Sequence, residues 1–87
     1  MNILFINTFN VSPHLGGTER ITDTLCTEFQ KTYHHNCFLA YYNDIPNKYK
    51  QTQFAKKIHL KNHRQYKNLF KFIDDNKIKL YHTSRTI

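Results

Sequence analysis

The residues best placed to do chemistry in this 87-residue chain are Gly16-Gly17-Thr18-Glu19, ten residues after the apolar run Asn2-Ile3-Leu4-Phe5-Ile6-Asn7. A short apolar run bounded by polar residues predicts a buried strand. The pattern that follows the glycines predicts a helix. A strand, a glycine turn and a helix N-terminus together present free backbone N–H groups and a positive dipole end to an anion. The two glycines open positive φ and let a ligand approach with no side chain between. The spacing fits neither the G-x-G-x-x-G dinucleotide fingerprint nor a P-loop, since no Lys-Ser/Thr pair follows. The reading is a phosphate or acceptor site at Gly16, Gly17 and Thr18.

Other reactive side chains form weaker patterns. His34-His35, and His59 with His63, lack the i, i+4 spacing and third ligand that zinc on a helix requires, so no metal is expected. Cys26 and Cys37 have no C-x-x-C spacing and read as buried, reduced thiols. Asp74-Asp75 fall at a helix end, facing solvent. The stretch Lys48–Lys67 interleaves Tyr49, Phe54 and Tyr66 with basic residues, as some single-strand binders do. Tyr66 is assigned to the core there, and no nucleic-acid module is present. A small basic nucleic-acid-binding module is the alternative function, and nucleic acid is the disfavoured partner.

Charge is uneven along the chain. Residues 1–45 hold Arg20 and Lys31 against four carboxylates, a balance of −2, whereas residues 46–87 hold eleven Lys or Arg against Asp74 and Asp75, a balance of +9. Such asymmetry suits an anionic partner. It also follows from a Lys-, Asn-, Ile- and Tyr-rich composition. No apolar run reaches the roughly 20 residues that span a bilayer, and the first ten residues lack a basic signal n-region. A cytoplasmic location is expected.

The elements that must position the glycine turn follow from periodicity. Ile21, Leu25, Phe29 and Tyr33 recur every four residues and predict a first helix with that stripe inward, N-capped by Thr18. Cys37-Phe38-Leu39-Ala40-Tyr41-Tyr42 predicts a strand covered on both faces. Ile58 and Leu60 mark a short edge strand. Tyr66, Leu69, Phe70 and Ile73 fall at i, i+3, i+4 and i+7, predicting a second helix with Phe72 flanking that face, Asn62 as N-cap and Asn76 as an αL stop. Ile78, Leu80 and His82 form the inward face of a last strand. Strands linked through helices by right-handed crossovers give a parallel, three-layer α/β/α sheet of the Rossmann-like kind, with the first strand central, strands two and three to one side and strand four to the other. Ligands bind outside the strand ends where that order reverses. Here those ends are Asn7–Gly17 and His82–Arg85.

The residues that carry this pattern resemble the start of family 4 glycosyltransferases of the GT-B fold: Asn2–Asn7, Ser12-Pro13, then Gly16-Gly17-Thr18-Glu19-Arg20. That family's Gly-His before the second strand is matched at His35, with His34 in place of Gly. Its strand ending in His is matched at His82, with Ser84 where a second His often stands. The resemblance implies a single partial Rossmann-like domain over residues 1–87, the acceptor-side N-terminal part of a retaining enzyme that moves a sugar from a nucleotide-sugar to a glycan or lipid-linked acceptor. The donor-binding half is not in this chain, so catalysis by it alone is not expected. It implies a cleft lined by Asn7, Glu19, His82 and Ser84, no cofactor beyond the nucleotide-sugar substrate, and peripheral contact with the anionic inner face of a membrane. A last strand without a following helix leaves sheet surface uncovered, so self-association is expected.

Overall fold

The computed structural model describes residues 1–61 and 65–83. Its elements run β1 (Asn2–Phe9), α1 (Thr18–Lys31), β2 (Asn36–Asn43), β3 (Lys56–His59), α2 (Tyr66–Asp75) and β4 (Leu80–Thr83). All strands are parallel in one sheet of order β3-β2-β1-β4. This is the doubly wound order predicted from the sequence.

β1 sits centrally because its side chains are apolar on both faces. Ile3, Leu4 and Phe5 are all fully or almost fully buried. Ile3 and Phe5 face one way, into a core with Val11, Cys26, Cys37, Leu39 and Tyr41, sealed by Leu25, Phe29 and Phe54. Leu4 faces the other way, packing with Phe38, Ala40, Leu60 and Ile78 beneath Leu69, Phe72 and Ile73 of α2. One helix therefore covers each face.

Both helices are rolled relative to the predicted stripes. In α1 the fully buried residues are Thr22 and Cys26; Leu25 and Phe29 are half-buried, while Ile21 and Tyr33 are exposed. The roll follows from polar bonds on the far flank, where Asp23 accepts a 2.7 Å bond from Thr52 and Gln30 donates to the Gln53 carbonyl. In α2 the inward residues are Leu69, Phe72 and Ile73, and Tyr66 and Phe70 are exposed. The T-shaped contact of Phe72 with Phe38 accompanies that orientation.

Ends and edges also differ from expectation. Gly17, not Thr18, is the N-cap of α1, and no side chain caps that end. Asn76 has φ −101°, and the left-handed residue after α2 is Lys77 at φ 51°. Asn62 lies outside the described residues. Ile78 is buried just before β4, whereas Leu80, expected to face inward, and the adjacent Tyr81 are exposed among the described residues. Cys26 and Cys37 are free and buried, as expected. The hydrogen-bonding Cys37 side chain, then burial, push the Cys26 thiol well above its ordinary range. Among the described residues no helix is long and apolar enough to cross a membrane.

His34, the residue standing for the expected glycine before β2, has φ 57°. A side chain in that region costs about 1–2 kcal/mol relative to glycine. His34→Gly should therefore raise unfolding free energy by about 0.5–1 kcal/mol after glycine's larger entropy loss, measured by urea denaturation.

Candidate ligand site at the strand switch point

β1 and β4 are adjacent and parallel, so their carboxyl ends share one edge of the sheet. The chain leaves β1 through residues 10–17 and enters α1 at that edge. Gly17 has φ 66° and ψ −137°, a conformation that favours glycine. An added Cβ would meet nothing closer than the Glu19 carboxylate at 4.0 Å, and at Gly16 it would meet nothing. Backbone geometry, not crowding, requires glycine at 17. The first-turn N–H groups of α1 have no side-chain cap, and they point out at the edge where β1 and β4 end.

A polar relay fixes this turn against the sheet. Asn7, fully buried at the end of β1, donates through Nδ2 to Thr22 Oγ1 at 3.0 Å, and Thr22 donates on to the Thr18 carbonyl at 2.9 Å. Since Thr22 spends its proton on Thr18, it can only accept from Asn7, which sets the amide's orientation. Asn7 Oδ1 is then left without a hydrogen-bond partner, as is the buried Nδ1 of His82. Both lie on the α1 face: His82 pairs in register with Phe5, and its ring sits tilted against that of Phe5, with centroids 5.4 Å apart. Buried polar atoms without partners cost free energy and are uncommon in folded proteins, so each calls for a partner.

Two hollows flank the glycine turn, and they differ in charge. One, of 320 Å³, is formed by Gly17, Arg20, Ile21, Thr24 and Leu25. The other, of 280 Å³, lies between Phe9, Leu15, Gly16 and Glu19 and the corner Asp44-Ile45-Pro46. An anion suits the first, where a guanidinium joins the helix N-terminus, and not the second, where two carboxylates stand. A third hollow, 380 Å³, lies on the other flank of α1, between Asp23, Thr27 and Gln30 and residues 50–53.

The expected site residues therefore divide. Gly16, Gly17 and Thr18 form the turn, Asn7 anchors it, and His82 lies on the neighbouring strand. Glu19 lines the carboxylate side, and Ser84 lies outside the described residues. Arg20 was missed as a site residue, because a lone cation on a helix carries no periodic signal. Among the described residues no group of three His, Cys, Asp or Glu could hold a metal. His59, considered for a metal, stacks on Tyr41 at 4.7 Å and bonds the Tyr42 carbonyl. Phe54 of the basic stretch is drawn into the core against Phe5, whereas Tyr66, assigned to the core, is exposed.

A second polar cluster holds the connection after β2. Asp44 Oδ1 accepts from Asn10 Nδ2 at 3.0 Å and from the Ile45 N–H at 2.9 Å. Lys57 Nζ donates to Gln51 at 2.6 Å and to Asn10 at 3.4 Å. The Asn10 amide, then the Ile45 N–H, hold the Asp44 carboxyl below the ordinary carboxylate range. Burial lowers the Lys57 ammonium, against the pull of Asp44.

Comparison of this chain with protein-family models, with curated proteins and with solved structures finds no match.

Thr22→Val should cost about 1–3 kcal/mol, because it strands a buried amide, while Thr22→Ser should cost less; urea unfolding of the two variants reads the difference. Asp44 stabilises the fold fully above its ordinary carboxyl value of 3.8, and that contribution falls away as pH drops through its lower folded value. Acid titration of stability should show a shallower decline below pH 3.8 in Asp44→Asn than in the native chain.

Proposed function

We propose that this chain is the acceptor-side, N-terminal part of a retaining glycosyltransferase of the GT-B kind, resembling family 4, and that it binds a phosphate-bearing sugar ligand at the β1/β4 switch point. The observation that carries the reading is the pair of buried, unpartnered atoms, Asn7 Oδ1 and His82 Nδ1, on the face that also holds the uncapped turn of Gly17. Each element has a distinct task. The Gly16-Gly17 turn lends backbone N–H groups to phosphate oxygens, and Arg20 supplies the counter-charge. Thr18 and Thr22 hold the turn in place through Asn7. His82 offers a ring nitrogen, and Asn7 an acceptor, to hydroxyl groups of the sugar.

Sugar transfer passes through an oxocarbenium-like centre that must be oriented and shielded from water by two walls. This chain supplies one wall. A donor-binding half would supply the other, so the 87 residues bind ligand without turning it over. The Lys-rich half of the sequence gives such an enzyme a means to rest on an anionic membrane. The rival reading, a basic nucleic-acid-binding module, requires binding whose affinity falls steeply with salt.

An amide-detected NMR titration with uridine or guanosine diphosphate and with inorganic phosphate tests the reading. Saturable shifts at Gly16, Gly17 and Arg20, weakened about three- to tenfold in Arg20→Gln, are expected. Shifts confined to the Lys48–Lys61 surface, or tighter binding of single-stranded nucleic acid than of any diphosphate, would contradict it.

A further inference from the structure

Two thiols share one compartment of the core, and the ligand site makes no use of them. Cys26, on the inward face of α1, and Cys37, on β2, are eleven residues apart in sequence. Both are fully buried in the same apolar cluster. Cys37 Sγ stands 3.9 Å from the Cys26 carbonyl, and the two side chains hydrogen-bond one another.

A single buried cysteine behaves as a small hydrophobe, inert to reagents in solution. This pair differs, because its side chains already meet and because Cys26 Sγ is not sealed by carbon alone. The Gln30 amide donates to that sulfur at 3.3 Å and to the Gln53 carbonyl at 3.0 Å. The same carbonyl stands 3.6 Å from the sulfur. Gln30 and Gln53 both line the 380 Å³ hollow on the flank of α1. The Cys26 sulfur therefore sits behind the wall of a polar hollow, and the half-buried Gln30 side chain is part of that wall. A hollow of this size has ample room for hydrogen peroxide, which is little larger than water.

We propose that Cys26 and Cys37 form a reversible disulfide within the chain, with the hollow between α1 and residues 50–53 as the entry for its oxidant, a small hydroperoxide. The Cys26 side chain, as hydrogen-bond partner, holds the Cys37 thiol below its ordinary range against the effect of burial, so Cys37 ionises first. Its thiolate attacks one peroxide oxygen. An S–O bond forms, the O–O bond breaks, and the hydroxide that leaves takes up the proton released by Cys37. Cys26 then attacks the Cys37 sulfenic sulfur. The S–S bond forms, the S–O bond breaks, and the departing hydroxide takes the Cys26 proton. Two thiols and one peroxide thus give one disulfide and two waters, a two-electron oxidation. Cys26 lies one turn beyond Thr22, which links Asn7 to the Thr18 carbonyl, so the bond pins to β2 the helix that carries the glycine turn. The disulfide concerns the packing of α1 on β2 and does not depend on the sugar-ligand reading.

Intact-mass analysis of the folded chain after treatment with hydrogen peroxide tests this. The expected product is a monomer lighter by two hydrogens, restored by dithiothreitol, whose peptide map joins Cys26 to Cys37. Gln30→Ala, which removes the amide beside Cys26 Sγ, should form the bridge about three- to tenfold faster with unchanged far-UV circular dichroism. Cys26→Ala lacks the resolving thiol and should stop at a Cys37 sulfenic acid that dimedone traps. Thiols that stay free through peroxide treatment and are alkylated once urea unfolds the chain would overturn the proposal. So would bridges that join separate chains, or a bridge that forms only in urea. A Gln30→Ala rate no higher than that of the native chain would overturn it too, by removing the hollow as the way in.

Discussion

The structure depends on one constraint: a central strand whose side chains are apolar on both faces must be covered on both. Ile3 and Phe5 require α1, Leu4 requires α2, and the backbone of β1 requires a strand on each side. Burial of this kind is worth about 25 cal/mol per Å² of apolar surface, or about 1.5–3 kcal/mol for each fully buried Ile, Leu or Phe, against about 0.5–1.5 kcal/mol net for a typical hydrogen bond. Once β1 is central and every crossover right-handed, the chain has to reverse direction across the sheet between β1 and β4. The switch point at the glycine turn is thus a consequence of packing.

The constraint also explains which polar groups are buried. A parallel strand that ends inside the sheet must tie its last residues to something. Asn7 does so through Thr22 to the Thr18 carbonyl, and Asn10 through Asp44 to the β2–β3 connection. The first tie leaves an acceptor over, Asn7 Oδ1, at the place where the topology makes a crevice. The amide that secures the helix to the sheet thus keeps one buried oxygen unpartnered, and the proposed ligand reading draws on that atom.

Much of this was legible in the chain. The unbroken apolar runs of β1 and β2, the glycine pair and two amphipathic segments were enough for strand order and for the position of the switch point. What the sequence did not reveal were rotations and ends. Helix faces were assigned from apolar periodicity alone, yet α1 rolls so that Thr22 and Cys26 point inward, because Asp23 and Gln30 bind the polar segment at Thr52-Gln53. Tyr66 and Phe70 matched a core period but stand outside it, since Phe72 is taken by Phe38. Arg20 is one cation among thirteen basic residues, and only its place beside Gly17 singles it out.

Charge and exposure complete the account. The hollow with Arg20 and the hollow with Glu19 and Asp44 lie on either side of one turn, so the proposed anionic ligand would be directed to the first by charge alone. The central claim is that the glycine turn and the tail of β4 serve one crevice. A crystal structure of the chain soaked with a nucleoside diphosphate or a phosphorylated glycan tests it most directly. The account predicts phosphate oxygens on the Gly17 N–H and Arg20 guanidinium, with the rest of the ligand running toward His82. A ligand seated against residues 50–53 on the far flank of α1, with the glycine turn empty, would contradict it.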